Sequence, residues 1–553
     1  MEQGTAAVLA QTIFAPDGAW LAEIADLEKK YPPRQLPEGA AVTRFAPSPT
    51  GFLHIGNLLP AFVDRILASH TGGVFILRLE DTDKKREVEN GVEGILSGMR
   101  GIGIVIDEGV TGPNAEIGAY GPYTQRQRKE IYHAYAYRLV EQGLAYPCFC
   151  SAEGLDALRS KQEQSGVNKG YYGKWAKCRD LDLDEQLRRV RAGEEFTLRL
   201  RSPGDESRKI TVIDLIRGKL ELPEYAMDVV LLKADGIPTY HFAAAVDDHL
   251  MRITHVIRGE EWIASLPLHI QLSALLGFKA PKYAHLAPMM KEDGETGGKR
   301  KLSKRKDPEA AVSWFAEQGF PAEAVREYLL TVLNSNFEDW RRANPQAPLS
   351  SFPFSLKKLS ASGALFDPLK LEDVSKNVIS RMRAEPVYEK ALAWAKEYDP
   401  EFYALLADKP DYATAMFAID RGGKKPRKDI ARWDQLRDAF SYFYDSLYEP
   451  QPCGHPDILA AYTYDPKEDK DAWFARVKAL CGPLGYCPDV KAYKADPGAW
   501  KGHVGDVAGA IRLAVTGRAN TPDLWAIMRV LGEERVKERI EAAMENHTGE
   551  ALA

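Results

Sequence analysis

Cysteine is scarce in this sequence, which has six cysteines among 553 residues. The first twenty positions contain no lysine or arginine, so the basic segment that opens a secretory signal is missing. No apolar run approaches the roughly 18 uninterrupted residues that a membrane-spanning helix needs. These absences predict a protein without a membrane span or a disulfide framework, working in the reducing cytoplasm.

An excess of basic charge is also absent, since 73 Lys and Arg face 79 Asp and Glu and the formal net charge is −6. Nucleic-acid coats need cations that release condensed counterions, so the whole-chain charge disfavours that class. Basic residues nevertheless gather at 299–306. That run is compatible with a local phosphate-binding face and also with a merely solvated surface.

The length of the chain predicts several domains, because single hydrophobic cores stop growing near ~250–300 residues. Strand-like runs at 41–45 and 74–79 flank a helix-like segment, and the same alternation returns at 238–243 and 255–258. Such units build parallel sheets whose ligands lie at the carboxyl ends of the strands. From 308 onward helical periodicity dominates.

The segment 44–57 follows a predicted strand and opens a predicted helix. Gly51 and Gly56 allow close backbone approach, His54 supplies a donor, and the helix N-terminus offers unpaired N–H groups. Phosphate oxygens bind well to such a site. A His and a Gly at a helix start are more often structural when they occur alone, but the full run favours nucleotide binding.

The segment 301–305, Lys-Leu-Ser-Lys-Arg, follows a glycine-rich loop. Lysines on a mobile loop can stabilise the negative charge that builds on phosphate oxygens in a transition state. The segment therefore favours phosphoryl or nucleotidyl transfer. No Ser/His/Asp or Cys/His arrangement is placed for covalent catalysis.

The two segments resemble the signatures of class I aminoacyl-tRNA synthetases, usually written HIGH and KMSKS, here HIGN at 54–57 and KLSKR at 301–305. PSPTG at 47–51 and EDTD at 80–83 are similar to the glutamyl versions, whereas glutaminyl enzymes usually have PEPNG and DDTN. The resemblance, which also includes TYH at 239–241, extends from about residue 41 to the C-terminus.

The resemblance implies an α/β fold, a Rossmann-like class I synthetase catalytic domain with an inserted α+β domain, followed by an all-α C-terminal domain. We expect an N-terminal extension of unassigned role at 1–40, catalytic halves at 41–122 and 236–290, an inserted tRNA acceptor-end-binding domain at 123–235, a connecting region with the KLSKR loop at 291–365, and a helical anticodon-binding domain at 366–553.

The implied reaction is ATP-dependent activation of L-glutamate to glutamyl-adenylate, followed by transfer to the 3′-terminal adenosine of tRNA(Glu) with release of AMP and pyrophosphate. ATP and Mg²⁺ are the expected cofactors, and a monomer is the expected state. A glutamyl-queuosine-tRNA synthetase is disfavoured by residues 346–553. An enzyme that also charges tRNA(Gln), and a catalytically inactive tRNA-binding paralogue, remain alternatives.

The resemblance also implies site residues. Glutamate is expected among Arg44, Ala46, Ser48, Glu80, Tyr240 and Arg258. ATP is expected among His54, Gly56, Asn57, Glu261, Met290, Lys301, Ser303 and Lys304, of which His54, Lys301 and Lys304 are the expected catalytic residues. A guanidinium binds a carboxylate bidentately, so a neutral glutamine amide would leave a buried cation poorly paired at a cost of ~3–5 kcal/mol.

This sequence departs from the family pattern at two positions: Asn57 replaces the last histidine of the first signature, and Ala244 stands where asparagine is frequent. The cysteines offer one more candidate site. Cys148, Cys150 and Cys178 with Asp180 could hold a tetrahedral structural Zn²⁺, as in some bacterial glutamyl enzymes, or the thiols could belong to a small core.

Overall fold

The protein is described by a computed structural model that covers residues 2–15, 22–49, 53–83, 87–294, 297–303, 306–423, 426–452 and 454–550. The chain divides into two compact units, Met1–Trp314 with Leu329–Asp367, and Phe315–Tyr328 with Pro368–Ala553. None of the helices in the described ranges is both long enough and apolar enough to cross a membrane.

All the described strands belong to the first unit. They are β1 (Val42–Phe45), β2 (Val74–Leu77), β3 (Glu108–Gly112), β4 (Ala115–Ile117), β5 (Ala145–Cys148), β6 (Thr197–Leu200), β7 (Lys209–Asp214), β8 (Gly218–Pro223), β9 (Val230–Leu232), β10 (His255–Gly259), β11 (Lys282–Leu286), β12 (Met289–Glu292), β13 (Lys299–Lys301) and β14 (Ala364–Leu365).

The helices run through both units. They are α1 (Glu2–Phe14), α2 (Ile24–Lys30), α3 (Ile55–Thr71), α4 (Gly91–Gly101), α5 (Lys129–Glu141), α6 (Ala152–Gln164), α7 (Leu183–Arg191), α8 (Tyr240–Leu250), α9 (Leu266–Leu276), α10 (Val312–Glu317), α11 (Ala322–Leu333), α12 (Phe337–Ala343), α13 (Pro368–Arg381), α14 (Ala384–Tyr398), α15 (Pro400–Asp408), α16 (Pro410–Ala418), α17 (Leu436–Ala439), α18 (Pro456–Ala461), α19 (Lys470–Leu484), α20 (Val490–Ala495), α21 (Val504–Thr516), α22 (Leu524–Leu531) and α23 (Glu533–Glu550).

A parallel sheet positions the site. β1 pairs with β2 and β2 with β3, while β10 pairs with β11, all in parallel. β10 follows Thr254, whose N–H donates to the carbonyl of Val42 in β1 at 2.9 Å. The paired strands form two sheets, β1-β2-β3-β4 and β10-β11-β7-β8, and β1 lies beside β10, so the parallel strands follow the order β3-β2-β1-β10-β11 of a doubly wound fold. This confirms the predicted α/β class.

Helix α3 crosses from β1 to β2 and packs against β1, β2 and β10. Its packed face is apolar, with Leu58, Phe62 and Val63 buried, as a crossover helix requires. The carboxyl ends of β1, β2 and β10 therefore meet at the edge where α3 begins.

The region between the two halves of this sheet has a sheet of its own, in the order β5-β6-β9. It also contains the hairpin of β7 and β8, which pairs with β11 through Asp214 and Tyr283. Part of the predicted inserted range thus extends the sheet that carries the site.

The described elements of the second unit are helical, which confirms the prediction of an all-α C-terminal region. Its core is built from aliphatic and aromatic side chains, among them Phe402, Phe417, Trp433, Phe443 and Ile511. Burial of these apolar side chains provides the main stabilisation of the helices.

Candidate active site

A cavity of about 610 Å³ opens at the carboxyl ends of β1, β2 and β10. The structure brings together in its wall all the residues expected to surround glutamate, namely Arg44, Ala46, Ser48, Glu80, Tyr240 and Arg258. His241, which the sequence analysis named only within the TYH motif, and Trp262, which it did not name, line the same cavity. Open α/β sheets bind their ligands at this edge.

Arg258 follows the buried strand residues of β10 and is 5% exposed. Its Nε donates to His285 Nε2 at 3.0 Å, and its Nη2 donates to the Trp262 carbonyl at 3.3 Å. Its Nη1 is buried and has no hydrogen-bond partner among the described residues. Burial lowers the pKa of Arg258. A buried cation with an unsatisfied donor needs an anionic partner.

His285 is held in place by Asp214, since its Nδ1 lies 2.7 Å from Asp214 Oδ2. Because Arg258 donates to Nε2, the proton of the neutral ring belongs on Nδ1, where it is donated to the carboxylate. Asp214 also accepts the backbone N–H groups of Ile216 and Arg217 at 2.9 Å. This chain of hydrogen bonds fixes the orientation of the Arg258 guanidinium.

Arg44 and Arg78 share one carboxylate. Asp248 Oδ1 accepts from Arg78 Nη1 at 2.7 Å and from Arg44 Nε at 3.2 Å. Arg78 Nη2 also donates to Glu80 Oε1 at 3.1 Å. Arg258 is the third guanidinium group of the site, and no carboxylate among the described residues forms an ion pair with it.

Glu80 lies three residues after the end of β2 and is 4% exposed. Burial raises the pKa of Glu80 to about 7, although Arg78 and Arg44 act in the opposite direction. The carboxylate is thus poised to ionise fully when a cation, such as an ammonium group, comes close.

The aromatic side of the cavity holds Tyr240 and Trp262, whose ring centroids are 4.8 Å apart. Burial, with the charge of Glu80 next in importance, raises the pKa of Tyr240 to about 12. Its hydroxyl therefore stays protonated and can donate a hydrogen bond. His241 beside it is neutral at physiological pH, because burial and the charge of Arg258 lower its pKa to about 4.

A second, smaller cavity of about 30 Å³ adjoins the first at the start of α3. It is lined by residues that include His54, Gly56, Asn57, Glu261 and Lys301, which all belong to the set expected to contact ATP. Gly56, Asn57 and Glu261 also line the larger cavity. The expected nucleotide and amino-acid sites are thus contiguous.

His54 caps α3, because its Nδ1 accepts from the backbone N–H of Asn57 at 3.2 Å. The neutral ring then carries its proton on Nε2, where it can be donated to a phosphate oxygen. A Cβ at position 56 would lie 3.0 Å from the His54 ring. Glycine at 56 therefore gives the histidine room to fold over the helix end.

Asp307, which the sequence analysis did not single out, binds the segment 300–303 that contains Lys301. Both oxygens of Asp307 accept from Arg300 at 2.6 Å, and Oδ2 accepts the backbone N–H of Ser303 at 2.8 Å. Lys291 Nζ lies 3.4 Å from the same carboxylate. Asp307 therefore anchors Arg300 and Ser303, which lie on either side of Lys301 in the sequence.

Three expected positions need separate description. Lys304 lies outside the described residues. Met290 lies on β12 opposite Lys301, and its neighbour Met289, rather than Met290, lines the smaller cavity. Ala244 is fully buried in α8 and does not line the larger cavity.

The expected metal site has three of its four members together. Cys148, Cys150 and Cys178 have their sulfur atoms within 4.8 Å of one another, and the Cys150 and Cys178 sulfurs are 3.7 Å apart. Asp180 is exposed and does not belong to this group. The buried Tyr171 hydroxyl lies 3.3 Å from Cys150 Sγ instead.

Comparison with protein families agrees with this geometry. The family model "tRNA synthetases class I (E and Q), catalytic domain" matches residues 40–341, and the model "Anticodon binding domain" matches residues 501–544. The fold and the site at its sheet edge therefore define a class I tRNA synthetase.

Named relatives narrow the class. A glutamate–tRNA ligase of Clostridium perfringens (strain 13 / Type A) is 50% identical over 526 residues, which is 93% of this chain and 96% of that protein. One of Sorangium cellulosum (strain So ce56) is 46% identical, with 93% and 96% covered. A crystal structure of a glutamate tRNA ligase from Elizabethkingia meningosepticum in complex with its amino acid has a TM-score of 0.67 at 28% identity, covering 91% of this chain and 99% of that one. The chain belongs to the glutamate–tRNA ligase family.

Proposed function

We propose that this protein is a glutamate–tRNA ligase that activates L-glutamate with ATP and transfers it to the terminal adenosine of tRNA(Glu). Family membership supports the reaction class. The observation that carries the choice of amino acid is Arg258, which lines the cavity and whose buried Nη1 has no hydrogen-bond partner among the described residues.

The charges of the cavity fit glutamate. One carboxylate of the substrate pairs with Arg258, the other approaches Arg44, and the ammonium group approaches Glu80. Glutamine would bring a neutral amide, which leaves a buried guanidinium without its counter-charge at a cost of ~3–5 kcal/mol. The cavity therefore favours an amino acid with two carboxylates.

The reaction needs no protein nucleophile. The α-carboxylate of glutamate attacks the α-phosphorus of ATP, pyrophosphate leaves with the electrons of the broken P–O bond, and a hydroxyl of the tRNA then displaces AMP. His54 donates to a phosphate oxygen, while Lys301 and Lys304 offset the charge that develops in the transition state. Glu261, a carboxylate that lines both cavities, would hold Mg²⁺ together with the ATP phosphates, and the ion would neutralise phosphate charge.

The other partners follow from the same proposal. The inserted domain receives the acceptor end of the tRNA, and the helical region binds the anticodon, in agreement with the match at residues 501–544. The enzyme acts in the cytoplasm as a monomer.

The test is charging of purified tRNA(Glu) and tRNA(Gln) with radiolabelled glutamate. The wild type should charge tRNA(Glu), and Lys304→Ala should lose most of this activity. Charging of tRNA(Gln) would indicate a non-discriminating enzyme. Failure of the wild type to charge either tRNA, with a folded protein, would favour the inactive paralogue.

We also propose a structural Zn²⁺ in the inserted domain. Four ligands at about 2.3 Å in a tetrahedron are separated by ~3.8 Å, close to the 3.7 Å between the Cys150 and Cys178 sulfurs. Tyr171 is the fourth ligand, because Asp180 lies outside the group. Elemental analysis should find zinc in the wild type and in Asp180→Ala but not in Cys178→Ser. Zinc-free wild type would refute the site.

A further inference from the structure

A short N-terminal segment contacts the end of helix α8, whose first residue, Tyr240, lines the amino-acid pocket. Residues 24–34, here called the N-terminal brace, comprise α2 and the four residues after it. They precede the range 40–341 that matches the catalytic family model. The brace lies against residues 249–252, which form the end of α8 and the turn that follows.

Two residues of the brace bind this turn through charged and backbone groups. Glu28 Oε1 lies 2.6 Å from His249 Nε2, and Glu28 Oε2 accepts from Arg252 Nη2 at 2.7 Å. The backbone carbonyl of Tyr31 accepts from Arg252 Nε at 2.9 Å. Glu28 and Tyr31 therefore both bind Arg252, the last residue of the turn.

The turn needs such support, because Arg252 has a φ of 60°. Non-glycine residues adopt this left-handed conformation only where the surroundings fix it. Arg34 adds a further contact, since its Nε donates to the Met251 carbonyl at 3.1 Å while its Nη atoms bind Glu108 at 2.7 and 2.9 Å. The brace thus connects the end of α8 to β3.

Tyr31 also reaches the buried ion pairs behind the pocket. Its side chain is fully buried, its hydroxyl donates to the Gly121 carbonyl at 2.8 Å, and Arg128 Cζ lies 5.3 Å from its ring centroid. Arg128 Nε in turn donates to Asp247 Oδ1 at 2.7 Å. Asp247 precedes Asp248, whose carboxylate holds Arg44 and Arg78.

We propose that the N-terminal brace positions the glutamate pocket by fixing the end of α8 and, through it, the carboxylates that orient Arg44 and Arg78. This inference rests on the proposed function. Tyr31 and Glu28 are positioning residues that do not touch the substrate. The contacts of the brace described above go to α8, β3 and Arg128, whereas the expected nucleotide-binding residues lie at the start of α3.

The proposal is tested by steady-state charging of tRNA(Glu) with Glu28→Gln and Tyr31→Leu. Loss of either contact should raise the KM for glutamate roughly 3- to 30-fold and leave the KM for ATP unchanged. Tyr31→Phe keeps the ring beside Arg128 and should remain near wild type. Lys29→Ala is the matched control, because Lys29 lies on the same helix with its side chain 78% exposed.

A purely structural role predicts a different result, since partial unfolding lowers the active fraction and apparent kcat without changing the KM for glutamate. If Tyr31→Leu does not fold, Glu28→Gln and its combination with Tyr31→Phe carry the test. A wild-type KM for glutamate in folded variants would overturn the proposal. Absence of charging by the wild type would instead overturn the proposed function.

Discussion

The two adjoining cavities hold their functional groups in different ways. On the amino-acid side, Arg44 and Arg258 are each 5% exposed and are oriented by buried partners, Asp248 and His285. On the nucleotide side, Lys301 is exposed and His54 is half-buried at a helix end. Rigid, buried charges suit selection of one amino acid, whereas an exposed side chain such as Lys301 can adjust to charge that appears only in the transition state.

The largest expected effect concerns the amino-acid side. Arg258→Gln removes the cation that faces the substrate carboxylate and should lower kcat/KM for glutamate about 10²- to 10³-fold, mainly through KM. The KM for ATP should stay constant in pyrophosphate exchange measured with tRNA present. An equal rise in the KM for glutamate and in the KM for ATP would mean that the amino-acid side and the nucleotide side do not act separately.

On the nucleotide side the same comparison predicts the opposite kinetic signature. Lys301→Ala should lower kcat about 100-fold, because a charge that stabilises the transition state is lost, while the KM for glutamate changes little. Single-turnover formation of the adenylate separates this step from product release. A rise in the KM for glutamate without loss of kcat would mean that Lys301 acts in glutamate binding and not in the transition state of adenylate formation.

The pH dependence of the KM for glutamate should also arise from a residue on the amino-acid side. In the proposed function the ionised form of Glu80 binds the ammonium group, and since the pKa of Glu80 is about 7, protonation competes with binding as pH falls. The KM for glutamate should rise roughly tenfold per pH unit below about pH 7, and Glu80→Gln should have a raised KM that no longer depends on pH. A pH-independent KM in the wild type would contradict this assignment.

The smallest effect is expected at Asp307, which anchors the segment 300–303 that contains Lys301. Asp307→Asn keeps an acceptor for the Ser303 N–H but loses the charge that binds Arg300, so kcat should fall about fivefold. The KM for glutamate should be unchanged. Glu309→Gln, which alters a neighbouring carboxylate bound to Lys291, serves as the matched control for general loosening of the loop.

Much of the site was predictable because its residues lie near the ends of strands and at the start of a helix, and short-range sequence patterns indicate both. Arg44, Glu80 and Arg258 each stand at or just behind a strand, and the carboxyl ends of parallel strands share one edge. The run at 54–57 opens a helix, so its position beside phosphate also follows from local sequence.

The partners that hold these residues were not predictable. Asp214 reaches His285 only because β7, in the predicted inserted range, pairs with β11. Tyr31 packs against Arg128 from a region before the match to the catalytic family model, and the Tyr171 hydroxyl lies beside Cys150 although 21 residues separate them. Such long-range register and packing leave no periodic trace in a single sequence.

Discrimination between glutamate and glutamine tests the central claim most directly. Initial rates of aminoacyl-tRNA(Glu) formation should be measured with each amino acid at equal, subsaturating concentration. The charge pairing at Arg258 predicts that glutamate is favoured at least about 100-fold. Equal rates with the two amino acids would contradict the assignment of Arg258 as the group that selects the substrate carboxylate.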